Sequence, residues 1–166
     1  MSDTSILEKL LQFAINTEHE MSLYYNRLAN EYVDDEDISG LFRTLSKDEA
    51  VHREQFESLL DLVKDSEVDL SEEDRDYLVA MSLSQSITEF TGYQHVRKKP
   101  EDRDQLLLEL FEFEKSVMNF YKAMLEVIGE NDVLQQIVDI EKSHVVAVMK
   151  ILITGTEFTS LHDNWP

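Results

Sequence analysis

The sequence predicts an all-α protein, a four-helix bundle with a long crossover between helices 2 and 3 that contains a short extra helix. Three observations lead to this fold class. Only four glycines and two prolines occur in 166 residues, so turn chemistry is scarce and long helices are favoured. Four segments carry apolar residues at helical spacing. A long connection at residues 66–101 separates the second of these segments from the third.

The first predicted helix begins near Ser5, because Glu8 follows three residues later and completes a capping box. Its apolar stripe continues to Tyr32 with helical periodicity. Glu18 falls inside this stripe, whereas His19 beside it falls outside. The sequence therefore predicts one carboxylate of this helix in the bundle interior.

The second predicted helix runs from about Ile38 to Val63 and follows an acidic turn at 34–37 that can cap it. Glu49 and His52 both occupy positions of its apolar stripe. A step of three residues is almost one helical turn, so both side chains lie on one face.

The crossover at 66–101 is predicted to contain a short amphipathic helix that starts at Ser71 with Asp74. Its apolar residues are Tyr77, Leu78, Met81 and Leu83. Beyond it, residues 88–99 are predicted to be irregular and end in the basic cluster 97–99, a solvated loop.

The third predicted helix has Pro100 in its first turn and ends at Gly129. Asn131 can cap the fourth helix, which ends at Gly155. Glu114 lies in the third apolar stripe, whereas Glu112 lies about 160° away and faces water. The fourth stripe again contains a Glu and a His three residues apart.

The two halves of the chain repeat one polar pattern. A Glu is followed seven residues later by a Tyr, and then by a Glu-x-x-His on the next helix. In the first half the residues are Glu18, Tyr25, Glu49 and His52; in the second half they are Glu114, Tyr121, Glu141 and His144. The repeat predicts two helical hairpins related by a pseudo-twofold axis. Four antiparallel helices with one long crossover form the ferritin-like arrangement, which we assign to residues 1–155.

This polar set is the ligand set of a two-metal site in a helix bundle. Four buried carboxylates are costly when unpaired, and two dications would supply +4 against −4. Oxygen and imidazole ligands suit iron or manganese better than structural zinc. We expect Glu49 and Glu141 to bridge the metals, and the other two Glu and the two His to bind one metal each. The six predicted metal ligands are Glu18, Glu49, His52, Glu114, Glu141 and His144.

The sequence predicts the six ligands but leaves open which residues form hydrogen bonds to them. Each His is expected to donate its second ring N–H to an acceptor that the sequence does not identify. Tyr25 and Tyr121 lie two turns from a Glu on the same face, so they either donate hydrogen bonds to the site or are ordinary core tyrosines. A bundle that keeps these residues but holds metal poorly is the alternative to a metal site.

Composition excludes several functional classes. The net charge of 15 − 35 = −20 repels nucleic acid and anionic membranes and attracts cations. The absence of cysteine excludes disulfides, thiolate catalysis and Cys-ligated metal centres from this sequence. Neither a secretory signal nor a membrane-spanning run is recognised, so a cytoplasmic location is expected. A homodimer is expected because closed twofold assemblies are the most common.

Outside the predicted site the sequence offers few functional residues. His19, His95 and His162 have no partners at ligand spacing and are expected at the surface. The tail at 156–166 is predicted to be irregular. Its apolar residues either pack on the bundle or dock on a partner chain; these are Phe158, Leu161 and Trp165.

With the ligand set in place, the chain resembles the rubrerythrin-like branch of the ferritin-like superfamily. The resemblance rests on residues 14–25, 47–52, 113–121 and 139–144, and it covers 5–153 apart from the crossover. It implies a non-haem centre of two iron ions, with manganese or a mixed pair as alternatives. It also implies that the centre reacts with hydrogen peroxide or dioxygen in response to oxidative stress.

Two departures from that family pattern affect the expected reaction. Rubrerythrins commonly carry a rubredoxin-like domain with Cys-ligated iron, which this cysteine-free sequence does not provide, so an external electron donor is expected. They also usually carry an extra Glu one turn after the ligand of the third helix, and Val117 stands there instead. The resulting symmetric set of six ligands is closer to what ferritins and bacterioferritins use to oxidise iron.

Three functions follow for consideration. The first is a di-iron oxidoreductase, and the second is an iron-oxidising or iron-handling protein. The third is a metal-poor helical bundle that acts as an interaction module through its tail or crossover.

Overall fold

The computed structural model describes residues 5–64, 70–88 and 102–154, and it confirms the predicted all-α bundle with a crossover helix. The helices are α1 (Ile6–Glu31), α2 (Glu36–Lys64), α3 (Glu72–Ser82), α4 (Arg103–Ile128) and α5 (Asp132–Thr154). In the crossover, residues 85–88 are also helical. Within these ranges, no helix is both long and apolar enough to cross a membrane.

Helices α1 and α2 form the first hairpin. The Ser5 hydroxyl accepts a hydrogen bond from the Glu8 amide at 3.1 Å, as the capping box predicts. Helix α2 begins at Glu36, two residues before the predicted start. Along the hairpin, Ser22 and Ser46 each donate a hydroxyl hydrogen to the other's carbonyl, at 2.9 and 2.8 Å, and so fix the register of the two helices.

Helices α4 and α5 form the second hairpin. Gly129 ends α4 with φ at 90°, a conformation that favours glycine, and Asn131 accepts from the Leu134 amide at 2.9 Å to cap α5. The predicted start at Pro100 is not where α4 begins. Asp102 caps the helix by accepting from the Asp104 amide at 2.9 Å, and Pro100 lies outside the described residues.

The crossover helix α3 packs mainly against α4. Leu78 is fully buried, whereas Tyr77 is 41% exposed, and Leu83, which was predicted in the helix, lies just past its end and is 61% exposed. The helix is short and turns only one narrow side to the bundle. Thr88, which was predicted to be irregular, lies in the helical residues 85–88.

The core runs the length of the two hairpins and is rich in aromatic side chains. The largest fully buried side chains in the described residues include Tyr25, Tyr121, Phe42, Phe56, Phe113 and Phe120. Into this apolar interior the four main helices also place eight buried polar or charged residues. Burial of so many polar groups is costly without partners, and most of them meet at mid-bundle.

Several predictions fall on residues outside the described ranges. These are the surface positions of His95 and His162, the basic loop at 97–99, and the tail with Phe158, Leu161 and Trp165.

Candidate metal centre

The six residues predicted as metal ligands lie together in the interior of the bundle. Each main helix supplies its share: one Glu from α1, one Glu from α4, and a Glu and a His from both α2 and α5. None of the six is more than 3% exposed. Helical periodicity brings them there, because each occupies a position of its helix that faces the core.

The six residues form two overlapping groups that could each hold one metal ion. The first group is Glu18, Glu49, His52 and Glu141, and the second is Glu49, Glu114, Glu141 and His144. Within a group, one ligand atom of each residue lies within 4.8 Å of the others. Glu49 and Glu141 belong to both groups, which is the arrangement expected of bridging carboxylates.

Both imidazoles turn Nδ1 towards the carboxylates. The Nδ1 atom of His52 lies 2.8 Å from Glu141 Oε1, 3.1 Å from Glu49 Oε2 and 3.4 Å from Glu18 Oε2. The two imidazole rings are 5.7 Å apart between centroids.

The second imidazole has a looser arrangement of the same kind. The Nδ1 atom of His144 lies 3.4 Å from Glu49 Oε1, 3.6 Å from Glu141 Oε2 and 3.7 Å from Glu114 Oε2. Nδ1 is therefore the nitrogen that each histidine presents to the centre of the cluster.

The two tyrosines of the repeat donate hydrogen bonds into the site, and each does so to the opposite half of the chain. The Tyr25 hydroxyl donates to Glu114 Oε1, and the Tyr121 hydroxyl donates to Glu18 Oε1. Both rings are fully buried. Of the two roles left open by the sequence, the structure therefore favours the hydrogen-bonding one.

Asp48 also contacts the site, and sequence reasoning did not single it out. Its Oδ2 lies 3.1 Å from Nε2 of His144, while its side chain remains 36% exposed. The sequence did contain a clue to this contact. A metal-binding histidine needs an acceptor for the ring nitrogen that faces away from the metal, and Asp48 is an acidic residue directly before Glu49. It was missed because Asp48 lies off the apolar stripe and meets His144 only through packing of α2 against α5.

The concentration of charge shifts the pKa values of the cluster. Burial, followed by repulsion from Glu141 and Glu18, raises the pKa of Glu49 to about 7. Burial is also the largest cause that raises the pKa of Glu114, to about 8. Burial acts to lower the pKa of His52, but hydrogen bonds to Glu141, Glu18 and Glu49 outweigh it and raise the value to about 12.

The free donor atoms of the cluster fit metal ions. Both carboxylate oxygens of Glu141, Oε2 of Glu18 and Nδ1 of His144 are buried, and apart from their contacts within the cluster they have no hydrogen-bond partner among the described residues. Buried polar atoms are normally satisfied, and a metal ion bound between these donors would satisfy them. Carboxylate and imidazole donors with no thiolate suit iron or manganese.

A narrow cavity between α1 and α4 adjoins the carboxylates. Beside Glu18, Glu49, Glu114 and Glu141 it is lined by Thr17, Met21, Phe113 and Val117. Val117 is 3% exposed and contributes only an apolar surface to this cavity. The cavity is thus small and combines the four carboxylates with a wall of mostly apolar side chains.

Two residues placed outside the site by the sequence lie outside it in the structure. His19 is exposed, and its Nδ1 lies 3.1 Å from Nη1 of Arg53 on the outer surface. Glu112 faces solvent and forms an ion pair with Lys115 at 2.8 Å.

Comparison with known families gives one match. A family model described as Rubrerythrin matches residues 9–152, from Lys9 in α1 to Leu152 in α5, and the match includes every residue of the cluster. No curated protein and no solved structure matches the chain significantly.

Proposed function

Because this chain belongs to the rubrerythrin family, we propose that its buried cluster holds two iron ions and that the protein is a di-iron oxidoreductase. Its substrate would be hydrogen peroxide or dioxygen. One observation carries the proposal: two groups of four buried ligands share Glu49 and Glu141. A shared pair of carboxylates between two imidazoles provides for two adjacent ions rather than one.

Two bound Fe(II) ions would supply two electrons, which with two protons reduce one hydrogen peroxide to two water molecules. The side chains of the cluster would hold the two ions and neutralise their charge. Four carboxylates balance the charge of two dications in a region that excludes water. This balance lowers the free-energy cost of burying both the ions and the charged carboxylates.

The tyrosines and the cavity would prepare the site for its substrate. Tyr25 donates a hydrogen bond to one oxygen of Glu114, and Tyr121 donates one to an oxygen of Glu18. The other oxygen of each carboxylate is therefore left to face the centre of the cluster. The apolar walls of the cavity, including Phe113, limit entry to small molecules and keep bulk water out.

The electrons that restore the reduced state would come from outside these 166 residues. The sequence contains no cysteine, so it provides no iron–sulfur or rubredoxin-type centre. We therefore propose a separate reduced donor that delivers two electrons per turnover.

An iron-oxidising function is the second candidate, and Val117 favours it. An apolar residue at this position leaves six ligands in a symmetric set, with no additional carboxylate in the cavity. In this reading the ferric product leaves the site instead of being reduced in place, and the charge of −20 guides cations to the protein.

The first experiment is to measure metal content by elemental analysis on protein purified without added metal. Fe(II) and then hydrogen peroxide are added anaerobically, and the near-ultraviolet absorption of ferric iron is followed. We expect about two iron ions per chain, oxidised by about one equivalent of peroxide. Repeated cycles of reduction and peroxide addition with the iron retained favour the oxidoreductase, whereas release of ferric iron favours iron handling.

A matched pair of variants ties the result to the cluster. Glu114→Gln removes one ligand charge, and Glu112→Gln removes the same charge two residues away on the solvent face of α4. We expect the first variant to bind fewer than two ions and the second to behave as wild type. Equal iron content and equal peroxide reactivity in both variants, or no iron uptake by wild type, would rule out the proposed centre.

A further inference from the structure

The two imidazoles of the cluster differ in the hydrogen-bond partner of Nε2, the ring nitrogen that faces away from the centre. Nε2 of His144 lies 3.1 Å from the carboxylate of Asp48. Nε2 of His52 is buried and has no hydrogen-bond partner among the described residues. Both histidines present Nδ1 to the centre, although His144 lies farther from the carboxylates, and the difference in hydrogen-bond partners lies behind the rings.

The repeat explains this difference. A shift of 92 residues relates Glu49 to Glu141 and His52 to His144, and it therefore relates Asp48 to Ile140. In the first half an Asp directly precedes the Glu of Glu-x-x-His; in the second half an Ile does. The repeat thus places an acceptor at the position that contacts the imidazole of α5, and an aliphatic residue at the corresponding position of the other half.

Other contacts of the site do not distinguish the two halves in this way. Glu18 and Glu114 each accept a hydrogen bond from one buried tyrosine of the opposite half. Glu49 and Glu141 are common to both groups of ligands. Asp48 gives His144 a hydrogen-bond partner of a kind that His52 does not have among the described residues.

A carboxylate behind a metal-binding imidazole has a known physical effect. It accepts the outer N–H, fixes the tautomer and the ring orientation, and makes the inner nitrogen a stronger donor. Loss of such a partner typically lowers metal affinity about 10–100-fold. An imidazole without an acceptor leaves a buried N–H unsatisfied when its other nitrogen binds metal.

We propose that the two metal positions are unequal and are filled in a fixed order. The position of Glu114 and His144, supported by Asp48, binds the first ion, and the position of Glu18 and His52 binds the second and exchanges it more readily. This inference rests on the proposed function, since it requires that the cluster hold two ions.

The order of binding can be read with Zn(II), which is diamagnetic and does not react with peroxide. Metal-free protein labelled with ¹⁵N at histidine is titrated with Zn(II), and the ring resonances of His52 and His144 are followed by NMR. We expect the His144 signals to change during the first equivalent and the His52 signals during the second. Repulsion between two dications separates the two steps in any such site, so the order is the decisive observation.

Three variants test whether Asp48 causes the order. Asp48→Ala removes the acceptor, and we expect the affinity of the His144 position to fall about 10–100-fold, so that the order is lost or reversed. Ile140→Asp supplies the acceptor missing from the other half and is expected to tighten the second step. Asp139→Asn, which removes a charge from the exposed face of α5, controls for net charge and should leave the order unchanged.

The outcomes separate the failure of this inference from the failure of the proposed function. Binding of two ions with His52 first, or with both histidines together, would overturn the fixed order but leave the two-metal site intact. An unchanged order in Asp48→Ala would overturn the role of Asp48. If that variant does not fold, an affinity of the second step that is unchanged in Ile140→Asp would overturn it instead. Failure of wild type to bind any Zn(II), Fe(II) or Mn(II) would remove the proposed function itself.

Discussion

Tyr25 donates its hydroxyl hydrogen to the carboxylate of Glu114, a residue 89 positions further along the chain. Tyr121 makes the reciprocal contact with Glu18, 103 positions earlier. The two hydrogen bonds cross between the hairpins, so each hairpin supplies a donor for a carboxylate of the other. The tyrosines therefore join the halves of the bundle at the level of the metal site.

Removal of either tyrosine hydroxyl should weaken the contact between the two hairpins. In Tyr25→Phe or Tyr121→Phe, one oxygen of a buried carboxylate loses its donor, and we expect the free energy of unfolding of the metal-free protein to fall by about 1–3 kcal/mol. Urea-induced unfolding measures this change in the free energy of unfolding. Tyr77→Phe is the control, because Tyr77 is exposed and its bond to Glu126 is 3.3 Å long; a loss there as large as in the buried pair would contradict the assignment.

The stability of the metal-free protein should fall as the pH rises from about 5 to about 8. The folded pKa values of about 7 for Glu49 and about 8 for Glu114 exceed the ordinary 4.5, and that of His52, at about 12, exceeds 6.5. In this window the folded state binds more protons than the unfolded state, so stability decreases with pH. Burial would raise the pKa of Glu141, but its histidine partners outweigh burial and lower the pKa to about 2. Glu141 therefore changes the stability only below about pH 5, outside this window.

Thermal unfolding at several pH values, with a chelator present, tests this dependence. Saturating Zn(II) should reverse the trend, because metal replaces protons on the same ligands and binds better as the pH rises. Metal-free stability that increased between about pH 5 and about pH 8 would contradict the charge distribution described above.

Glu49→Gln should stabilise the metal-free protein while abolishing the second metal. Burial and repulsion by Glu141 and Glu18 disfavour the charged form of Glu49, and an amide of similar shape removes that charge. We expect a higher unfolding midpoint than wild type at about pH 8 and a smaller difference at about pH 5. Glu112→Gln, on the solvent face, should change neither the midpoint nor the metal content.

Val117→Glu should make the bundle dependent on metal. Val117 is buried and lines the cavity beside the four carboxylates, so a fifth carboxylate there adds an unpaired charge that costs several kcal/mol. Metal should raise the unfolding midpoint of this variant more than that of wild type, since a cation neutralises the added charge. Ser116→Glu, one residue away and partly exposed, is the control; equal metal effects in both would show that residue 117 does not reach the ions.

Much of the fold could be predicted because helical periodicity is local. The stripe containing Glu18 predicted the inner face of α1, and the capping residues Ser5 and Asn131 marked helix starts that the structure contains. Where periodicity was short, the prediction was less accurate. Tyr77 and Leu83 were both predicted among the apolar residues of the short helix, but Leu83 lies past the end of α3 and both side chains are exposed.

By itself the sequence determined which six side chains enter the bundle, because a helix with a period of 3.6 residues and one apolar stripe can turn only certain positions inwards. The tertiary structure alone decided which side chains meet there. Whether Tyr25 reaches Glu18 or Glu114, and whether Asp48 finds an imidazole, depends on the rotation and height of one helix relative to another. Those quantities arise from side-chain packing between distant segments, and no local pattern encodes them.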